Sequence, residues 1–120
     1  MNTKSVRIHG KNDLRLEEIT LPEVGPDDVQ VRITCDSVCM SSYKAAIEGE
    51  DHKRVPNDVA ENPTMVGHEF CGQIVAVGEN WKDKYKPGDN FSIQPAHFYK
   101  GSQMAPGYSY THAGGSSLYS

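Results

Sequence analysis

Gly67-His68-Glu69-Phe70-Cys71-Gly72-Gln73-Ile74-Val75-Ala76-Val77-Gly78 is the stretch that decides how this chain folds and where its chemistry lies. From Cys71 to Val77 it is a short apolar run closed by Gly78, which predicts a strand. Ahead of that run a nitrogen ligand, His68, stands beside a carboxylate, Glu69, with Gly67 and Gly72 on either side. Successive residues of a strand face opposite sides of the sheet. His68 and Glu69 therefore reach one ion only where the backbone bends between them, and the flanking glycines ease such a bend.

Upstream, Val29, Val31, Ile33, Cys35 and, past Asp36-Ser37, Val38 give the clearest apolar alternation in the chain. They predict a half-buried strand running toward Cys39. From Ser41 or Ser42 to Glu48 the residues change to helix formers, with Tyr43, Ala46 and Ile47 at helical spacing. Ser41 or Ser42 suits the cap of that helix and Gly49 its stop. Cys39 thus falls where strand gives way to helix, and partial positive charge at a helix start favours the metal-binding thiolate. Its sulfur, the His68 nitrogen and the Glu69 carboxylate make a three-ligand set for zinc, with water as the fourth ligand. Cys35 and Cys71, embedded in strand patterns, read instead as small buried hydrophobes.

Further out, Val6-Arg7-Ile8-His9 and Leu14-Arg15-Leu16-Glu17 alternate around Asn12-Asp13 and predict an N-terminal hairpin. Leu21 to Asp27 is a Pro- and Gly-rich connector, and residues 50 to 63 read as a polar loop. Lys86-Pro87-Gly88-Asp89 suits a type II turn into a strand from Asn90 to Ile93. From Gln94 to Ser120 no period survives, and Gly101, Gly107, Gly114 and Gly115 read as turn residues. Strands, turns and one or two short helices make a mainly β fold, a small barrel or sandwich.

The chain has 120 residues, enough for one domain (1–120) with its own core. Its formal charge of -4 carries both signs interspersed, without the clustered Lys and Arg that a nucleic-acid surface needs. No apolar run is long enough for a signal peptide or a membrane span. Three cysteines without a signal peptide imply free thiols and a cytoplasmic location.

Taken together, Gly67-His68-Glu69 with Gly72 and Gly78, Val38-Cys39-x-Ser41, Lys86-Pro87-Gly88-Asp89 and Leu21-Pro22-x-x-Gly25-Pro26-Asp27-Asp28-Val29-Gln30-Val31 resemble the medium-chain dehydrogenase/reductase superfamily. They cover nearly the whole chain in the right order. The resemblance implies a GroES-like, partly open β-barrel that ends before the Rossmann domain. It implies Cys39 and His68 as catalytic zinc ligands and Glu69 as a carboxylate that ligates directly or approaches the metal when water leaves. Ser41 would bond the substrate alcohol and pass its proton outward. Small-molecule alcohols, polyols or sugar phosphates are the implied substrates, with NAD(P) bound by a domain that residues 1–120 lack, since no G-x-G-x-x-G opening a βαβ unit occurs. Oligomers through that domain do not transfer to this chain. On this reading the chain alone is an incomplete barrel and does not turn over substrate.

The sequence departs from relatives in four places. Met40 and Lys44 replace histidines of the usual proton relay, and Ser42 replaces an aspartate that supports the histidine ligand. Trp81 stands in place of a small aliphatic residue after Gly78, which suggests a modified loop. Residues 90 to 120 contain no cysteine, so the four-thiolate structural zinc of many relatives has no ligands and one zinc per chain is expected.

Lacking that lobe, the chain is similar to bacterial polyol or sugar-phosphate reductases. His97 and Lys100 are candidates to help hold a phosphate, though the stretch around Pro106-Gly107-Tyr108-Ser109-Tyr110 reads equally as a tyrosine-rich surface loop. His9, His52 and His112 read as surface or loop residues. Two alternatives remain at this point. A co-chaperonin-type binding module shares the barrel but leaves the coincidence of Cys39, Ser41, His68 and Glu69 unexplained. Zinc-free quinone reductases of the same superfamily lack the Cys and His ligands as a pair.

Overall fold

A computed structural model describes residues 1–99 and 102–120, with the side chains of 97–99, 102 and 103 outside the description. The fold is mainly β. Strands β1 (Asn2–Gly10) and β2 (Asp13–Thr20) form the expected hairpin, with Gly10 facing Asp13 across a two-residue turn. That turn is Lys11-Asn12, one residue earlier than expected, and Asn12 takes the left-handed φ of 55° that asparagine tolerates. The short β4 (Thr64–Met65) pairs with β1 and completes a first sheet ordered β2-β1-β4.

The second sheet is ordered β3-β5-β6, from β3 (Val29–Asp36), β5 (Phe70–Val77) and β6 (Asn90–Ser92). Strand alternation turns Val31, Phe70 and Ile74 inward, with Val29, Ile33, Val77, Phe91 and Ile93 packed against them. At the turn before β6, Gly88 has a φ of 94° and the Asp89 amide donates to the Lys86 carbonyl at 3.1 Å, as the Pro-Gly pair predicts. A two-stranded hairpin, β7 (His97–Tyr99) with β8 (Ser102–Met104), follows where no period was visible.

Residues 116–120 tie the two sheets together. Val6 N donates to Ser116 O at 2.8 Å and Leu118 N to Lys4 O at 3.1 Å on β1. Ile33 N donates to Leu118 O at 3.0 Å and Ser120 N to Val31 O at 3.1 Å on β3. The segment therefore acts as a barrel strand, but the described residues leave the barrel open. A groove of about 660 Å³ is lined by Leu21, Val31, Ile74, Phe91, Ile93 and Tyr110 among others.

The helix α1 (Met40–Glu48) corrects two expectations. Its N-cap is Cys39, not Ser41 or Ser42, and no side chain caps it. Ala45 and Ala46 form its buried face, while Tyr43 and Ile47 are exposed. Gly49, at a φ of 53°, ends it and returns its amide to the Ala45 carbonyl. The following segment is more than a polar loop: Val55 and Val59 enter the first core with Ile8, Ala45, Val66, Ala105 and Tyr108. Isolated valines among polar residues carry no period, which is why the pattern hid them. No described helix is long and apolar enough to cross a membrane.

Candidate metal centre

β3 ends at Asp36, and three residues later Cys39 opens α1 with extended angles (φ -99°, ψ 138°). Its thiol is not used as a helix cap, because none of the cap bonds is made by a side chain. Across from it the chain turns at Gly67, whose φ of 90° is left-handed, and delivers His68 and Glu69 just before β5 begins. This is the bend that the flanking glycines foretold. A side chain at Gly67 would collide with the Asp36 carboxylate and come within 2.8 Å of Ser116 N.

The outcome is that Cys39, His68 and Glu69 offer ligand atoms all within 4.8 Å of one another. His68 is buried, Cys39 half-buried and Glu69 exposed, so the group opens to solvent on its carboxylate side. Zinc at its usual ligand distances holds tetrahedral donors about 3.5 Å apart, so small rotations suffice for one ion to be shared. The mixed sulfur, nitrogen and oxygen set suits zinc, and three protein ligands leave a fourth position open. Two buried polar atoms beside it, His68 Nδ1 and Ser42 Oγ, have no hydrogen-bond partner. An imidazole nitrogen buried without a partner is costly unless something else satisfies the ring.

The residues that orient the set were only partly legible. Ser37 was missed: its hydroxyl donates to Glu69 Oε2 at 2.8 Å and its amide to the Glu69 carbonyl at 3.1 Å. Nothing in the sequence ties residue 37 to residue 69 except that both flank a strand end. Of the two readings open for the stretch around Tyr108, the surface loop does not hold for Tyr108 itself, which is only 2% exposed. Its ring stands edge-on to His68 at 5.1 Å between centroids and to His52 at 5.5 Å. Tyr108 packs against the His68 ring but makes no hydrogen bond to its Nδ1, and neither does Ser42. Burial also pushes the His52 imidazole below its ordinary range. The unfolded chain takes up that proton at higher pH, so stability is expected to fall as acid passes below about pH 6.5. A thermal-melting series in pH, repeated on His52→Gln, checks this; an unchanged slope in the variant would refute it.

Gly107 and the residues around 115 close the back of the turn. Gly107, at a φ of 86°, lies so near that an added Cβ would overlap the Gly67 carbonyl and sit 2.8 Å from His68 N. Gly115 N donates to Gly67 O at 2.8 Å and Ser116 N to Val66 O at 2.9 Å. These glycines are more than turn residues. They allow two backbones to touch.

Other expected positions fall out as follows. Ser41 is exposed on the first turn of α1, two residues past Cys39. A cleft of about 370 Å³ beside Cys39 is lined by Val38, Tyr43, Val66 and Ser116 among others. Lys44 lies 3.8 Å from Glu48 and Met40 is exposed. Trp81 anchors its loop by donating from Nε1 to the Asp27 carbonyl at 2.9 Å. His9 is no surface residue: it is half-buried, with Nε2 3.1 Å from Glu17. Of the cysteines read as buried, Cys35 is exposed and Cys71 half-buried. Lys100 and the side chain of His97 lie outside the described residues.

An open barrel carrying this group at a strand-to-helix junction defines a class. Residues 25–117 match the alcohol dehydrogenase GroES-like domain, and the chain belongs to that family, within the medium-chain dehydrogenases and reductases. It is similar to L-sorbose 1-phosphate reductase of Klebsiella pneumoniae, 47% identical over 113 residues, which are 94% of this chain and 28% of that protein. Mannitol-1-phosphate 5-dehydrogenase of Aliivibrio fischeri is 45% identical over 98% of this chain and 28% of its own length. Among solved structures, 2R,3R-butanediol dehydrogenase from Bacillus subtilis superimposes with a TM-score of 0.80 at 28% identity, over 98% of this chain and 37% of that one. The chain therefore spans little more than a quarter of the curated relatives it matches.

Proposed function

We propose that this chain is the metal-binding catalytic domain of a zinc-dependent, NAD(P)-linked polyol or sugar-phosphate oxidoreductase. The observation that carries the reading is the convergence of Cys39, His68 and Glu69 from two separate segments onto one point. Similarity to a sorbose 1-phosphate reductase and a mannitol-1-phosphate dehydrogenase supports the sugar-phosphate class.

In this proposal Cys39 and His68 hold zinc, and Glu69 either completes the set or yields to the incoming substrate. Zinc there supplies positive charge that makes a substrate hydroxyl easier to deprotonate. Ser41, exposed on the first turn of α1, accepts the hydroxyl proton and hands it to water. With Met40 and Lys44 in place of relay histidines, that transfer runs directly to solvent. Ser37 keeps the Glu69 carboxylate turned toward His68. Val38 and Tyr43 line the cleft beside Cys39, and both are exposed to solvent. The co-chaperonin-type alternative assigns none of these groups a task.

Elemental analysis of the chain, stripped with chelator and reloaded, tests the reading. One zinc per chain is expected; none, or two, would overturn it. Cobalt(II) in its place should add a near-ultraviolet thiolate charge-transfer band, lost in Cys39→Ser. Ser37→Ala should weaken zinc about 10-fold by freeing Glu69, as loss of an outer-shell bond does elsewhere. A chelator-competition titration reads that change, and an unaltered affinity would show that Ser37 does not position Glu69 for the metal. NAD(P)-dependent alcohol oxidation by residues 1–120 alone would refute the placing of the nucleotide site elsewhere.

A further inference from the structure

Two thiols away from the metal-ligand group face each other across the second sheet. Cys35 on β3 and Cys71 on β5 are directly paired in the antiparallel ladder, and both are free. Facing residues in such a ladder have Cα atoms about 4.5–5.5 Å apart. That lies inside the roughly 4.4–6.8 Å spanned by disulfides.

The two side chains share a face. On β5, Phe70, Gly72 and Ile74 are buried, so Cys71 and Gln73 point outward. On β3 the outward residue opposite Gln73 is Arg32, whose Nη2 donates to Gln73 Oε1 at 2.6 Å. Cys35 comes three residues after Arg32, and unbroken alternation would send it inward. A register shift between Ile33 and Cys35 restores it to the outer face, where it is exposed. Past the inward pair Ile33 and Gly72, the next cross-strand pair on the outer face after Arg32 and Gln73 is therefore a pair of cysteines.

We propose that Cys35 and Cys71 form a reversible cross-strand disulfide, a modification site independent of the zinc reading. The oxidant class is a small disulfide such as glutathione disulfide. The exposed Cys35 thiolate attacks one sulfur, expelling one glutathione thiolate and leaving a mixed disulfide on Cys35. Cys71 then attacks the Cys35 sulfur and expels the second glutathione. Two protein thiols are oxidised to one disulfide while glutathione disulfide is reduced to two thiols, and excess thiol reverses both steps. Cys39, gathered with His68 and Glu69, takes no part.

The experiment treats the full chain with glutathione disulfide, alkylates the remaining thiols and digests ahead of aspartate. Cleavage at Asp36 separates Cys35 from Cys39. Mass spectrometry should find the Cys35 peptide joined to the Cys71 peptide, two hydrogens lighter than their sum, with Cys39 alkylated. Dithiothreitol should break the link, Cys35→Ser should abolish it, and Cys39→Ser should keep it. Cys35 is exposed, so its replacement leaves the fold intact. A Cys39–Cys71 link, glutathione that stays on Cys35, or full alkylation of all three thiols would each overturn the proposal.

Discussion

His68→Ala is expected to abolish zinc binding at micromolar free metal, and Cys39→Ala to do the same. Four-ligand zinc sites hold the ion with about 10–16 kcal/mol, so losing one protein ligand of three costs on the order of 3 kcal/mol, roughly 100-fold or more in affinity. Both residues sit where no neighbour can take over, since only Glu69 completes the group among the described residues. His68 is buried against Tyr108, so truncation also leaves a gap. His68→Gln keeps most of the volume and separates loss of metal from loss of fold. His112→Ala, which lies outside the group, should retain one zinc and serves as the control. Stoichiometric zinc in both His68→Ala and Cys39→Ala would remove the assigned site.

Among the described glycines with left-handed backbone, Gly107→Ala should be the most destabilising. Left-handed backbone costs a residue with a Cβ about 1–2 kcal/mol, and forcing an atom into packed backbone adds about 1–3 kcal/mol. The expected loss is thus about 2–5 kcal/mol, a melting temperature lower by roughly 10–20 °C for a domain of this size. Gly88→Ala isolates the first cost, because Gly88 has a φ of 94° but nothing within 4 Å of an added Cβ. Thermal denaturation of the two variants should differ by the crowding alone. If Gly107→Ala melts no lower than Gly88→Ala, residue 107 does not rest on the Gly67 carbonyl. Zinc affinity should fall in the same variant, because the backbone that must give way carries His68.

What the sequence made legible was whatever repeats along the chain or punctuates it. Alternation revealed β3, the run closed by Gly78 revealed β5, Pro87-Gly88 revealed the turn into β6, and Gly67 marked the bend that brings His68 and Glu69 to Cys39. The contributions that stayed hidden are those between distant segments with no period of their own. Val55 and Val59 fill the first core from an otherwise polar stretch. Tyr108 sits in a glycine- and serine-rich segment whose composition says loop, yet it docks between two histidines. Ser37 meets Glu69 through its hydroxyl and its amide. Polar atoms bridging two neighbouring strand ends leave no mark on local patterning. The outward set of Cys35 depends on a register shift in β3, and a bulge cannot be read from strict alternation.

The tie made by residues 116–120 has a consequence for how the molecule is born. Both candidate ligand segments lie in the first 69 residues, but the backbone that clamps their turn, Gly115 and Ser116, comes more than forty residues later. A chain emerging from the ribosome at about 5–20 residues per second exposes Cys39 and His68 for seconds before that clamp exists. If the group binds zinc as proposed, capture on the rigid site is a late event, completed only when residues 116–120 have seated between the two sheets. During that interval the early thiols are unprotected, and a nascent chain stalled before residue 115 would present the ligands without the geometry that makes them selective.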